Sequence, residues 1–106
     1  MAALLKQASL ITLFSEYESQ GIAVMEALAL QRPVLVASTS ALRELVSRDL
    51  AYGVPLNSAP QEVARAIINQ LRHPLEAAHV ELPSWDECAA SLHALYRSIV
   101  RRPRCA

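Results

Sequence analysis

Two carboxylates flank a glycine in the stretch ESQGIAVME, residues 18–26. Glu26 is the only charged residue in a helix-like run whose other members, Ile22 to Met25 and Ala27 to Leu30, are all apolar. A carboxylate is rarely buried without a partner, because desolvating its charge is expensive. Gly21 has no side chain, so a ligand can approach the backbone closely there. The unbonded N–H groups of a helix starting near it can receive a phosphate, helped by the helix dipole. Glu18 precedes that turn and Glu26 follows it. If the intervening chain were helical, the two would lie roughly 12 Å apart. That span suits a ligand longer than one ring, with phosphate in the middle and hydroxyls at both ends. A carboxylate accepts bonds from vicinal hydroxyls, which is how acidic residues read ribose. The residues alone leave a plainer reading open. Glu16 and Glu18 would then be solvated loop charges favouring a helix N-terminus, and Glu26 would point to water.

Other polar residues form no comparable set. His73, His79 and His93 have no spacing suited to a metal or a triad and read as surface residues. Ser15, Ser38 and Ser40 lack a nucleophile-elbow context. Cys88 and Cys105 are too few for a disulfide framework and fit no zinc spacing, so a reducing cytoplasm is expected. The formal net charge is 0, which leaves no electrostatic footprint for nucleic acid. Arg97, Arg101, Arg102 and Arg104 read as a solvated basic helix end. No apolar run approaches the roughly 18 residues of a bilayer span, although attachment to a membrane surface stays open.

The elements that must position these residues follow from periodicity and punctuation. Residues 2–8 read as a helix end and 9–14 as a strand, followed by a loop to Gly21. Residues 21–31 read as a helix stopped by Pro33, and 33–37 as an apolar strand. The hydroxyls at 38–40 read as caps for a helix over 41–47. A brief extended piece at 52–56 precedes a helix over 60–72, with Val63, Ile67, Ile68 and Leu71 expected inward. A last helix over 84–99 starts with a capping box at Ser84 and Glu87. It carries Trp85, expected as a core anchor, with Leu92, Leu95, Tyr96 and Ile99 on one side. Alternating strands and helices predict an open α/β sheet. The hydrophobic fraction of 53% and the apolar strands suit a parallel sheet covered on both faces. Two strong strands and one weak one are few for a complete doubly wound domain.

The ordered set resembles a known pattern. Glu18 and Glu26 within ESQGIAVMEALALQRPVLVAS resemble the donor-site motif of retaining glycosyltransferases of the GT-B fold, the glycosyltransferase family 4 or group 1 type. SALRELV at 40–46, PQEVARAIINQL at 60–71 and SWDECAASLHALYRSIV at 84–100 resemble that family's later segments in order. The resemblance covers almost the whole chain. It implies a partial Rossmann-like doubly wound sheet, forming a single, incomplete domain over residues 1–106 that is the C-terminal donor-binding part of such an enzyme.

By that resemblance Glu18 contacts the donor sugar as the catalytic carboxylate. Gln20, Gly21 and Ile22 hold the diphosphate and sugar through their backbone, and Glu26 binds the ribose of a nucleotide-diphosphate sugar. The implied reaction is sugar transfer with retained anomeric configuration, without a metal or other cofactor. The sequence departs from the pattern at Gln20, where the family has an aromatic residue, at Gln31, where it has glycine, and at Ser40-Ala41, where a glycine pair is often seen, though related enzymes also carry serines there. The family's acceptor-binding N-terminal domain and its upstream basic pair have no counterpart, since Lys6 and Arg32 stand in the wrong places by order. The chain is therefore expected to need a missing domain or partner chain and to be inactive alone. Cytoplasmic location, with membrane-surface association of the full enzyme, is the accompanying expectation. The alternative is a non-catalytic α/β fragment serving as a structural or interaction module.

Overall fold

A computed structural model describes residues 1–77 and 79–100. Arg101, Arg102, Arg104 and Cys105 lie outside the described residues. The described chain runs α1 (Ala2–Gln7), β1 (Ile11–Leu13), α2 (Ile22–Ala29), β2 (Val34–Ala37), α3 (Ser40–Ser47), β3 (Tyr52–Val54), α4 (Pro60–Arg72) and α5 (Trp85–Val100). The strands form one parallel sheet in the order β1-β2-β3. Ile11 pairs with Val34 at one boundary and Leu35 with Tyr52 at the other. The α/β class, the parallel pairing and the weak third strand are those expected from the sequence.

Every residue of β2 is buried, because the central strand has helices on both faces. Side chains alternate across a strand, and the core divides accordingly. Val34 and Val36 join Val24, Ala27 and Leu28 of α2 and Leu42 and Leu45 of α3. Leu35 faces the other way and joins Val54 and Ala66 of α4. Fully burying a Val or Leu side chain contributes about 1.5–3 kcal/mol, so β2 adds core burial on both of its faces.

Two helices end in the same way. After α2, the Arg32 amide donates to the Ala27 carbonyl and the Gln31 amide to that of Leu28. After α3, the Leu50 amide donates to Leu45 and that of Asp49 to Val46. These are Schellman motifs, which place the residue after the cap in the left-handed region. Gln31 and Asp49 hold φ of 57° and 55° there. The stop of α2 is thus made at Gln31, and Pro33 acts as the entry to β2 rather than as the terminator.

Three expectations are corrected. The inward stripe of α4 is Val63, Ala66, Ile67 and Gln70, the i, i+3, i+4, i+7 set, whereas Ile68 and Leu71 are half exposed. Ala66 is small enough to let α4 close on the narrow sheet, and Gln70 accepts the Leu75 amide at 3.0 Å. Trp85 is no core anchor: it is 92% exposed, and no residue of α5 is buried. Among the described residues no element presents an apolar surface to α5, which leaves the body of the molecule. The Cα radius of gyration is accordingly 17.9 Å, against about 13 Å for a compact chain of this length. Finally, the hydroxyls at 38–40 do not cap α3; Thr39 and Ser40 bond elsewhere, as described below. The capping box of α5 does form, with the Ser84 amide on Glu87 Oε2 at 2.6 Å and the Glu87 amide on Ser84 Oγ at 3.2 Å.

Candidate functional site

The loop after β1 and the turn after β2 lie together at the carboxyl ends of parallel strands, the place where open α/β sheets bind ligands. Gly21 ends that loop as the residue before α2, with φ 70° and ψ 54°. Its backbone is buried, and a Cβ placed on it would lie 2.9 Å from Leu42 Cδ2. Glycine is therefore required twice, once for the left-handed φ and once for the approach of α3. Because the chain turns there, α2 begins with the Ile22, Ala23 and Val24 amides unbonded within the helix.

An open cleft of about 320 Å³ lies at this helix end, lined by Leu13, Glu18, Ser19, Gln20, Gly21, Ile22 and Ala23. Four of the five residues singled out from the sequence, Glu18, Gln20, Gly21 and Ile22, meet in it. Glu26 does not. It sits one turn further along α2, lining a separate hollow of about 260 Å³ with Met1, Ala2, Leu5, Ala29, Leu30 and Leu82. The apparent conflict of a carboxylate in an apolar helix also dissolves. Val24, Ala27 and Leu28 take the buried face, while Ile22, Ala23 and Glu26 are exposed together. Glu26 remains in water without a desolvation cost, one helical turn from the cleft.

Glu18 is held more firmly than an ordinary loop residue. Its amide donates to Ser40 Oγ at 2.8 Å, and its carbonyl accepts the Ala41 amide at 3.2 Å. Ser15 Oγ donates to Glu18 Oε1 at 2.9 Å. Thr39 Oγ1 donates to the Ser15 carbonyl at 3.2 Å. The hydroxyls assigned to helix capping therefore tie the 15–20 loop to the 39–41 turn. Sequence reasoning missed Ser15 and Ser40 as partners of Glu18, and Thr39 as the partner of Ser15. Ser40 carries φ of 42° at a position where the resembled pattern often has glycine.

Chemically, the cleft offers a carboxylate with one oxygen fixed by a hydroxyl and a helix N-terminus. That combination suits an anionic group beside a polyhydroxylated one. Neither Lys6 nor Arg32 lines it. Lys6 is on the exposed face of α1, and Arg32 lies with Pro33 and Pro74 in a hollow at the amino end of β2. Among the described residues no group of His, Cys, Asp and Glu is placed to hold a metal ion. No described helix is long and apolar enough to cross a membrane.

Residues 1–73 match the family described as glycosyl transferases group 1. Across 111 aligned residues the chain is 30% identical to a GDP-mannose-dependent alpha-(1-6)-phosphatidylinositol dimannoside mannosyltransferase of Mycobacterium tuberculosis strain ATCC 25177 / H37Ra, and to the protein of that name in strain CDC 1551 / Oshkosh. The alignment takes in 99% of this chain but spans only 29% of the length of either relative. No solved structure matches the chain. The family match spans α1 through α4 and so includes every described strand and the helix that frames the cleft; the chain belongs to the group 1 glycosyl transferases.

Proposed function

We propose that the chain is the C-terminal donor-binding portion of a retaining glycosyltransferase that transfers a sugar from a nucleotide-diphosphate sugar to an acceptor. The observation that carries this reading is the cleft itself, where Glu18 and the Gly21 backbone stand at the N-terminus of α2. The diphosphate takes the unbonded first-turn amides, which stabilise the negative charge that grows as the glycosidic bond breaks. Glu18 contacts the sugar, and the Gln20, Gly21 and Ile22 backbone lines the path between them. Glu26 receives ribose hydroxyls, with the apolar hollow beside it available to the nucleoside. The relatives' names make GDP-mannose the donor to test first. No metal or other cofactor is assigned to the site. The isolated chain does not transfer sugar, because no cation lines the cleft among the described residues and the acceptor-binding part belongs to a missing domain or partner chain. Cytoplasmic location, with the full enzyme peripheral to a membrane, accompanies the reading.

Calorimetric titration of the purified chain with GDP and GDP-mannose tests this. The proposal expects saturable binding that weakens in Glu26→Ala for both ligands, and in Glu18→Ala for GDP-mannose alone. Equal binding by wild type and both variants would remove these residues from the site. One observation favours a second reading, a non-catalytic interaction module: the exposed apolar side of α5, with Trp85, Leu92, Leu95, Tyr96 and Ile99. Absence of any nucleotide binding by a folded chain would favour it.

A further inference from the structure

We propose that Ser40, the first residue of α3, is a positioning residue for Glu18, and that Thr39 and Ser15 complete a clamp that presents the Glu18 carboxylate to the donor's sugar. The inference rests on the donor-site reading and adds to it residues that the resemblance did not single out. The loop from Ser15 to Gln20 contains no helix or strand, so no sheet ladder or helical bond fixes its shape. Its order comes from the turn facing it. Glu18 is gripped at its amide by Ser40 Oγ and at its carbonyl by the Ala41 amide. Thr39 Oγ1 holds the Ser15 carbonyl, and Ser15 Oγ reaches one oxygen of the Glu18 carboxylate. Backbone and side chain are thereby located together relative to β2, the most deeply buried strand.

The conformation of Ser40 is the second, independent observation. Its φ of 42° lies in the left-handed region, which glycine occupies with less strain. Glycine would satisfy the backbone of this turn but would lack the hydroxyl that accepts the Glu18 amide. A strained residue whose side chain bonds to a site residue is the pattern expected of local strain that serves a site. Nor does the hydroxyl act as a helix cap, since α3 has no side-chain cap bond. Ser40 is thus placed where backbone preference and loop positioning oppose each other, and a substitution can separate them.

The variants are Ser40→Gly and Ser40→Asn, compared with the wild-type chain for binding of GDP and of GDP-mannose and for melting temperature. Ser40→Gly relaxes the turn and removes the acceptor. Asparagine tolerates the left-handed region and returns an acceptor oxygen. The expected result is that wild type prefers GDP-mannose to GDP. Ser40→Gly should lose about fivefold in affinity for GDP-mannose, the worth of one hydrogen bond. It should keep its affinity for GDP within about twofold, with no fall in melting temperature, and Ser40→Asn should recover most of the loss. A clamp that only supported the fold would lower both affinities together with the melting temperature, and that outcome overturns the proposal. An unchanged GDP-mannose to GDP ratio in Ser40→Gly overturns it while leaving the donor site standing. A folded wild-type chain that binds neither ligand contradicts the donor-site reading itself, and the clamp's purpose falls with it.

Discussion

Replacing Gly21 by alanine sets two destabilising effects against one stabilising effect, and the structure gives the size of each. The residue sits at φ 70°, where a non-glycine residue costs roughly 1–2 kcal/mol. The new Cβ would stand 2.9 Å from Leu42 Cδ2. Leu42 is fully buried between α2 and β2, so it yields only by disturbing its neighbours, and overpacking of this kind costs about 1–3 kcal/mol. Against this, alanine restricts the unfolded chain and returns about 0.4–1 kcal/mol. The net expectation is destabilisation of about 2–3 kcal/mol, which for a chain of this size lowers the melting temperature by about 10–20 °C. Thermal unfolding followed by far-ultraviolet circular dichroism measures it. A double-mutant cycle with Leu42→Ala assigns the parts. Truncating Leu42 alone costs about 2–5 kcal/mol, but it also removes the atom that Cβ meets, so the double variant should be at least about 1 kcal/mol more stable than the sum of the singles. Strict additivity would place the whole effect in φ. A Gly21→Ala melting temperature within about 3 °C of wild type would refute the close approach and the left-handed turn alike.

Three further outcomes follow from the fold. Gln31→Gly relieves the left-handed residue of the Schellman motif after α2; relief of strain less the added chain entropy leaves a gain of about 0.5–1 kcal/mol, read as a higher denaturant midpoint at unchanged slope. Deleting residues 85–106 removes a helix with no buried residue, so the unfolding free energy of the remainder should change by less than about 0.5 kcal/mol; a larger loss would mean that the deleted segment packs on the sheet. The Glu87 carboxyl is held below its ordinary range, first by the Ser84 amide and then by the Ser84 hydroxyl. A depressed folded value means that its contribution is present above the unfolded value, about 4.3, and is lost as pH falls through the folded value. Helicity of α5 should therefore decline on acidification below about pH 4, and Glu87→Gln should flatten that decline.

The part of the fold carried by short-range pattern was legible in the sequence. PVLVA is apolar at consecutive positions because β2 is covered on both faces, and Ser84 with Glu87 forms the box its spacing implies. What failed depended on partners distant in sequence. Trp85 has the composition of an anchor, but the described chain offers α5 no surface to anchor against. Ile68 and Leu71 are as apolar as Ile67, yet the narrow sheet accepts only the stripe centred on Ala66 and Gln70. Thr39 and Ser40 stand at a helix start, where capping is the local expectation, but the loop some twenty residues earlier, seen in the bond from Glu18 to Ser40, competes for their hydroxyls and wins. For the candidate site, Gly21 and Glu18 were legible from residue type and spacing. The clamp was not, because it exists only once β1 and β2 lie side by side. Glu26 was correctly singled out as anomalous for an apolar run, but for a simpler reason than burial: α2 turns that face outward.

An amide NMR spectrum of the 106-residue chain, recorded alone and with GDP, shows whether the residues around Gly21 form a donor site. A donor site there gives a dispersed spectrum in which the Glu18, Gln20, Gly21, Ile22 and Glu26 amides shift with ligand while those of α4 and α5 stay in place. A dispersed spectrum in which none of the five moves, or in which shifts gather at the Arg32 hollow instead, would contradict it.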